Sequence, residues 1–394
     1  MSTHPHIHDD QHGALPTYPS TKRLRLVSCA SFTRLLAIVG VMLLLCTAYA
    51  SFIPSANADA KSNTYTAVSL YVNGELQIMP QLAQLLNGDT LYIPVKQLDR
   101  IPGITVNYGS PLRLTGSRSH ATVNSTNSFV YAGTTYVKYK TLLAISELDG
   151  RYAASASTLF VWTTDKGKAA SAKILDNISQ LPAGAGTLIG QKIYPFHESG
   201  SYWVTDVTYD PDSTIYYVTA RNSGAQEIHL NSNYAAFEFV LASALSQFQD
   251  RLRGKTVWYD NRTIQVEKIN HLDKLVFVGF KIEDDNTIRA IVRKTNGNLY
   301  AFELEPHYEV VDMLNERLFT TNPRSVYKWS NKVWDAITAN EVFVGMTHEQ
   351  VILSWGVPSD YNTYQSANLT YEQWIYAHNY LYFWNGKLSS AQSF

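Results

Sequence analysis

Four histidines open the chain at His4, His6, His8 and His12, and His-x-His spacing is one way to present imidazoles to a metal ion. Those four precede an apolar segment with the features of an export signal and are read as a solvated leader. His120, His197, His229, His271, His307, His348 and His378 are scattered singly, so spacing gives no reason to expect a metal site. Both cysteines, Cys29 and Cys46, fall in the same leader, so the chain beyond it has no thiol nucleophile, thiolate ligand or disulfide. Neither a Gly-x-Ser-x-Gly nucleophile elbow nor a glycine-rich phosphate loop occurs. His197-Glu198-Ser199 contains the residue types of a catalytic triad, but a triad is defined by converging geometry, and consecutive side chains ahead of Gly200 read as a loop. Asp284-Asp285, followed by Asn286, reads as a turn rather than a paired acid. The expectation is a protein that is not an enzyme and needs no cofactor, with an uncharacterised hydrolase as the third-ranked reading.

Binding is the leading expectation, and the candidate binding aromatics are Trp203, Trp258, Trp329 and Trp334, flat apolar surfaces suited to glycan stacking or peptide contact. The competing reading places them in the core, because aromatics on alternating strands usually fill it. With 32 basic and 33 acidic residues and a net charge of −1, the chain has no basic excess to attract nucleic acid or an anionic bilayer. The expected partner is a cell-wall glycan or an envelope protein, with membrane contact only through the N-terminal apolar segment.

That segment positions the rest of the chain. Lys22, Arg23, Arg25 and Arg34 precede an uncharged apolar run from Leu35 to Cys46, and two small-residue cleavage sites follow, Ala48-Tyr49-Ala50 and Ala56-Asn57-Ala58. Cleavage between Ala58 and Asp59 is favoured because polar sequence begins there. Residues 35–58 carry no charge and exceed the roughly 20 residues a spanning helix needs, so a retained membrane anchor is the alternative to a signal peptide over 1–58. A lipid anchor is disfavoured, since Leu45 stands before Cys46 where a small residue is required. The expected location is extracellular or in the cell envelope, anchored to the membrane if the leader is uncleaved.

Beyond the leader the expected fold class is α+β, strand-rich and multi-domain. The chain carries 26 tyrosines, and Asn73-Gly74, Asn87-Gly88, Asp149-Gly150, Asn296-Gly297 and Asn385-Gly386 punctuate it as hairpin turns. A first module over 65–164 contains an internal echo: Leu91 to Leu98 matches Thr135 to Leu142, 44 residues later, each running from a strand into a short helix. A duplicated strand-helix-strand unit is the economical reading, because neither copy can bury its apolar face alone. The pattern Val72-Asn73-Gly74, Gly88-Asp89-Thr90-Leu91-Tyr92-Ile93-Pro94-Val95 and Tyr136-Val137 resembles the copper amine oxidase N-terminal-like stalk domain. In that family the domain is a non-catalytic appendage of exported bacterial proteins, and Lys138 stands where the family usually keeps proline. Amine oxidation itself needs an Asn-Tyr-acid context, whereas Asn107-Tyr108, Asn233-Tyr234 and Asn379-Tyr380 are followed by Gly, Ala and Leu.

Small residues in Lys166-Gly167-Lys168-Ala169-Ala170 and Pro182-Ala183-Gly184-Ala185-Gly186 predict a flexible linker over 165–186. Residues 187–310 are expected to form one or two SH3-like β-barrel segments, opening alike at Gly190 and Gly254, with a helix over 235–253 and strands at Ile264–Ile269, Leu275–Phe280, Ile288–Lys294 and Leu299–Leu304.

The last module, 320–394, has the sharpest local signal. In Gly345-Met346-Thr347-His348-Glu349-Gln350, Thr347 and Gln350 form a capping box that starts a helix, and Gly356 with Pro358 ends it. Glu372 to Tyr376 and Tyr380 to Trp384 alternate as strands, giving a helix on an antiparallel sheet. Gly345, Met346, Thr347, Val351, Gly356, Pro358, Trp374, Tyr376 and Phe383 leading to Asn385-Gly386-Lys387 make this segment similar to the SmpA/OmlA (BamE-like) family. That family is structural and protein-binding, so the resemblance implies the alternative to the leading reading, a protein inhibitor or envelope assembly factor acting through this module.

Overall fold

The computed structural model describes residues 63–78, 81–233, 236–262, 268–366 and 369–393. Ala58 and Asp59, with the rest of the leader, lie outside the described residues, as does most of the strand expected at 264–269. The described chain is strand-rich α+β, with sheets of eight, six, five, four and three strands.

In the first module, strands Tyr65–Val72, Ala83–Leu86, Thr90–Pro94, Thr134–Lys138 and Ser128–Tyr131 lie side by side in that order, and Thr158–Trp162 runs parallel to Tyr65–Val72 on the other side. The two echoed strands pair with each other: Tyr92 faces Lys138, Ile93 faces Val137 and Pro94 faces Tyr136. Residues 44 apart exchange roles in this register, so a local twofold axis passes between Ile93 and Val137. Both side chains are fully buried, and so are Leu98 and Leu142 in the helices that follow, Val95–Leu98 and Tyr139–Ile145. Lys138 has φ −54°, close to the −58° of Pro94, but its N–H donates to Asn127 O at 2.8 Å. Proline fits that backbone angle and lacks the hydrogen for that bond.

The stretch expected as a flexible linker is instead a helix, Asp165–Gln180, followed by a 3-10 turn at Ala185–Leu188. Thr164 Oγ1 caps the helix, accepting from Gly167 N–H at 3.0 Å. Its glycine serves close packing: a Cβ on Gly167 would overlap the Asn73 side chain in the first module's turn. Ile178 is buried with Tyr71 and Phe160 of the first module and Val204 and Phe239 of the next.

The six-stranded sheet runs in the order Ala236–Phe237, Glu227–Asn233, Ile215–Arg221, Tyr202–Asp210, Lys192–Pro195, Phe239–Leu241. The five-stranded sheet runs Leu299–Glu303, Ile288–Arg293, Lys274–Ile282, Thr256–Tyr259, Leu318–Phe319. Neither closes into the barrel that the sequence suggested: each ends in two edge strands, and helices cover the apolar face that a barrel would bury against itself. The two sheets share a plan, with Gly190 (φ 80°) and Gly254 (φ 75°) ahead of their first strands and a bulge in each second strand, at Val204/Asp206 and Phe277/Gly279. The helix expected over 235–253 begins only at Ala242 and ends at Leu252. Phe239-Val240-Leu241 is drawn into the sheet beside Lys192–Pro195, where aromatic and β-branched side chains pack better than in a helix.

In the last module, helices Asn331–Thr338 and His348–Trp355 lie on one side of a four-stranded meander, Asp360–Ser366, Leu369–Tyr376, Asn379–Trp384 and Lys387–Ser393. Thr347 Oγ1 accepts from Gln350 N–H at 3.4 Å while Gln350 Oε1 accepts from Thr347 N–H at 2.9 Å, which completes the capping box. Gly356, at φ 87°, ends the helix in a conformation that side-chain-bearing residues rarely adopt. A polar clamp ties this helix to the preceding module. Arg262 grips the Asp260 carboxylate with Nε and Nη2 and donates from Nη1 to Ile352 O, and buried His271 donates from Nε2 to Leu353 O at 2.9 Å. A guanidinium there also meets the negative end of the helix dipole.

Candidate binding face

The four-stranded meander has two faces, and directly paired residues share one. Trp374, Leu381, Phe383 and Leu388 form the inner face against the helices. The outer face alternates with it and carries Asn362 and Tyr364 on the first strand, Tyr371, Gln373 and Ile375 on the second, Tyr380, Tyr382 and Trp384 on the third, and Ser390 and Gln392 on the fourth. None of these is buried; Tyr364 is 64% exposed and Trp384 53% exposed.

A continuous hydrogen-bonded row crosses all four strands of this face. Asn362 Nδ2 donates to Gln373 Oε1 at 3.1 Å, Gln373 Nε2 donates to Tyr382 Oη at 3.2 Å, and Tyr382 Oη donates to Gln392 Oε1 at 3.1 Å. Beside the row lie the rings of Tyr371, stacked on Tyr382 at 6.0 Å with a 19° tilt, and Trp384, edge-on to Tyr371 at 6.1 Å. The charged positions in this register, Asp360 and Lys387, sit at opposite corners, which leaves an uncharged central field of rings and amides. Such a surface can stack apolar ring faces and exchange hydrogen bonds with neutral hydroxyls and amides.

The tryptophans singled out from sequence lie elsewhere. Trp334 is 3% exposed and belongs to the core. Trp329 is half-buried between Tyr327, stacked at 4.3 Å, and Trp334 at 5.1 Å. Trp203 is half-buried beneath Lys192 Nζ at 5.4 Å, and Trp258 is half-buried in a different sheet, so these residues build no common surface. Gly345, Met346, Thr347, Gln350, Gly356 and Pro358 belong to the helix and its ends, with Met346 fully buried beneath it. Trp374 is buried on the inner face, where it stacks on His348 at 4.7 Å and donates from Nε1 to Glu372 Oε2 at 3.1 Å.

The four tryptophans singled out from sequence include neither Trp384 nor any tyrosine or amide of the outer face. The usable signal was the alternation Tyr371-x-Gln373-x-Ile375 opposite Tyr380-x-Tyr382-x-Trp384, which places one set of rings and amides away from the core.

The other constellations resolve into architecture. Asp285 Oδ1 accepts from Thr287 N–H at 3.0 Å in a turn, while Asn286, at φ 66°, donates to the carbonyls of Pro195, Glu198 and Gly200. His197, Glu198 and Ser199 stand exposed in the loop so held. No family model, curated protein or solved structure matches the chain.

Proposed function

We propose that this chain is an exported, non-enzymatic envelope protein that binds a neutral wall glycan on the outer face of its C-terminal sheet. The observation that carries the reading is the row Asn362–Gln373–Tyr382–Gln392, flanked by Tyr371 and Trp384 on an uncharged, solvent-facing sheet. Sugars offer axial C–H faces for rings and equatorial hydroxyls for amides, and a neutral field places no charge penalty on them. The modules ahead of it act as a stalk of the copper amine oxidase N-terminal-like kind, built from two related halves. The twofold register at Ile93 and Val137 and the shared backbone angles of Pro94 and Lys138 support that reading. An SmpA/OmlA-like origin for the last module is supported by its capped helix on a meander.

The test is a sedimentation assay with purified insoluble wall glycan stripped of protein and anionic polymer. The protein is retained, retention persists when salt is raised, and Trp384→Ala reduces it. Retention only in the presence of an added envelope protein would replace this function with the assembly-factor reading.

A further inference from the structure

A concavity lies between the first module's turn, the helix Asp165–Gln180 and the six-stranded sheet. Its volume is about 360 Å³, the size of a small-molecule site rather than of a polymer groove. The bulge at Val204/Asp206 turns the sheet here, and the Tyr71 hydroxyl fixes it by donating to Thr205 O at 2.7 Å. Asp206 is thereby set into the cleft wall with its two oxygens accepting from Asn177 Nδ2 at 3.4 and 3.2 Å and Oδ1 also from Val207 N–H at 2.9 Å.

It accepts hydrogen bonds from an amide and a backbone N–H, while the Lys173 ammonium acts on it through space. Burial drives the Asp206 carboxyl above its ordinary range, and Asn177, the Val207 N–H and Lys173 offset that only in part, so a further cation brought onto the carboxylate is favoured. On the neighbouring strand Asp206 faces Thr219, and Arg221 follows two residues along on the same side, about 7 Å away by strand rise. Arg221 donates to Leu76 O at 3.5 Å and pairs in register with Glu227. The cleft is therefore lined by carboxylates of Glu75, Asp206 and Glu227 and by the cations Lys173 and Arg221. That balance disfavours an anion, and the desolvated charge disfavours an apolar guest.

We propose that this cleft binds the zwitterionic head of a free amino acid, its ammonium on Asp206 and its carboxylate between Arg221 and Lys173. The spacing of the two strand positions admits one ammonium–carboxylate pair between them, each end meeting an opposite charge in a partly desolvated wall. The glycan face is not involved, so either inference can fail alone.

Calorimetric titration of the full-length protein at pH 7 with alanine, ethylamine and acetate tests it. Alanine binds, and ethylamine and acetate each bind at least about tenfold more weakly because each leaves one charge of the cleft unmet. Arg221→Gln and Asp206→Asn each weaken alanine by about tenfold or more. Arg221→Gln leaves the carboxylate and its amide in place and decides the matter should Asp206→Asn not fold. No heat from alanine up to about 10 mM, equal affinity for ethylamine, or an unchanged affinity in Arg221→Gln would each overturn the proposal.

Discussion

At the scale of single residues, buried polar groups in this protein serve the joints between modules. His271 is 1% exposed, donates from Nε2 to Leu353 O and accepts at Nδ1 from Asn261 N–H at 3.4 Å, a pattern that fits the neutral ring. Desolvation pushes its pKa below the ordinary histidine value, against the pull of Asp260, whose Oδ1 lies 3.7 Å from Nδ1, while Arg262 pushes the same way as burial. A depressed pKa in the fold means that the unfolded chain takes up the proton first as pH falls. The stabilisation is complete above about pH 6.5 and is lost as pH falls from there through the folded pKa. Urea unfolding at a series of pH values is expected to show this slope, and His271→Gln, which keeps a donor for Leu353 O, to flatten it. Gly167 gives a second test at this scale. Gly167→Ala should cost about 1–3 kcal/mol, read as a lower melting temperature, because the added methyl meets the Asn73 side chain rather than solvent.

At the scale of elements, the helix His348–Trp355 has eight residues, too few to hold together unaided, and depends on its ends. Thr347→Ala removes one arm of the capping box and should lower stability by about 1 kcal/mol in chemical denaturation, with the sheet's outer face unaltered. This helix was legible in the sequence because capping is local chemistry: Thr347, Gln350 and Gly356 act within one or two turns of themselves. The echoed strands were legible for the same reason, each running directly into its helix. What escaped was decided at a distance. The linker reading failed because Gly167 and Ala170 are small to admit the turn at Asn73-Gly74, far off in sequence. The expected helix start at residue 235 failed because Phe239–Leu241 finds an open edge beside Lys192–Pro195. The barrels failed because closure depends on which strands end as edges, and the outer face of the last sheet depends on which side the helices cover.

At the scale of the whole molecule, hydrophobic clusters cross the boundaries drawn from sequence between the first module and the six-stranded sheet and between the five-stranded sheet and the last module. One joins Tyr71 and Phe160 to Val204 and Phe239, the next joins Val240 to Phe277 with Tyr194 and Phe196 packed against it, and the last receives Leu272 and Phe319 beside its own Trp374. Modules that share side chains in this way unfold together. Scanning calorimetry should give one transition over the first two modules, with equal calorimetric and van't Hoff enthalpies, and two separated transitions there would show that the helix Asp165–Gln180 is not a fixed joint. Modules so joined present the C-terminal sheet as a fixed surface, the one on which the proposed function places glycan binding. The most direct measurement is titration of the full-length protein with a soluble neutral N-acetylhexosamine oligomer at low and high salt, followed by the same titration of Trp384→Ala and Gln373→Ala. Saturable binding that is insensitive to salt and about fivefold to thirtyfold weaker in each variant, about 1–2 kcal/mol, is the predicted result. Binding that vanishes with salt, or that both variants retain in full, would contradict it.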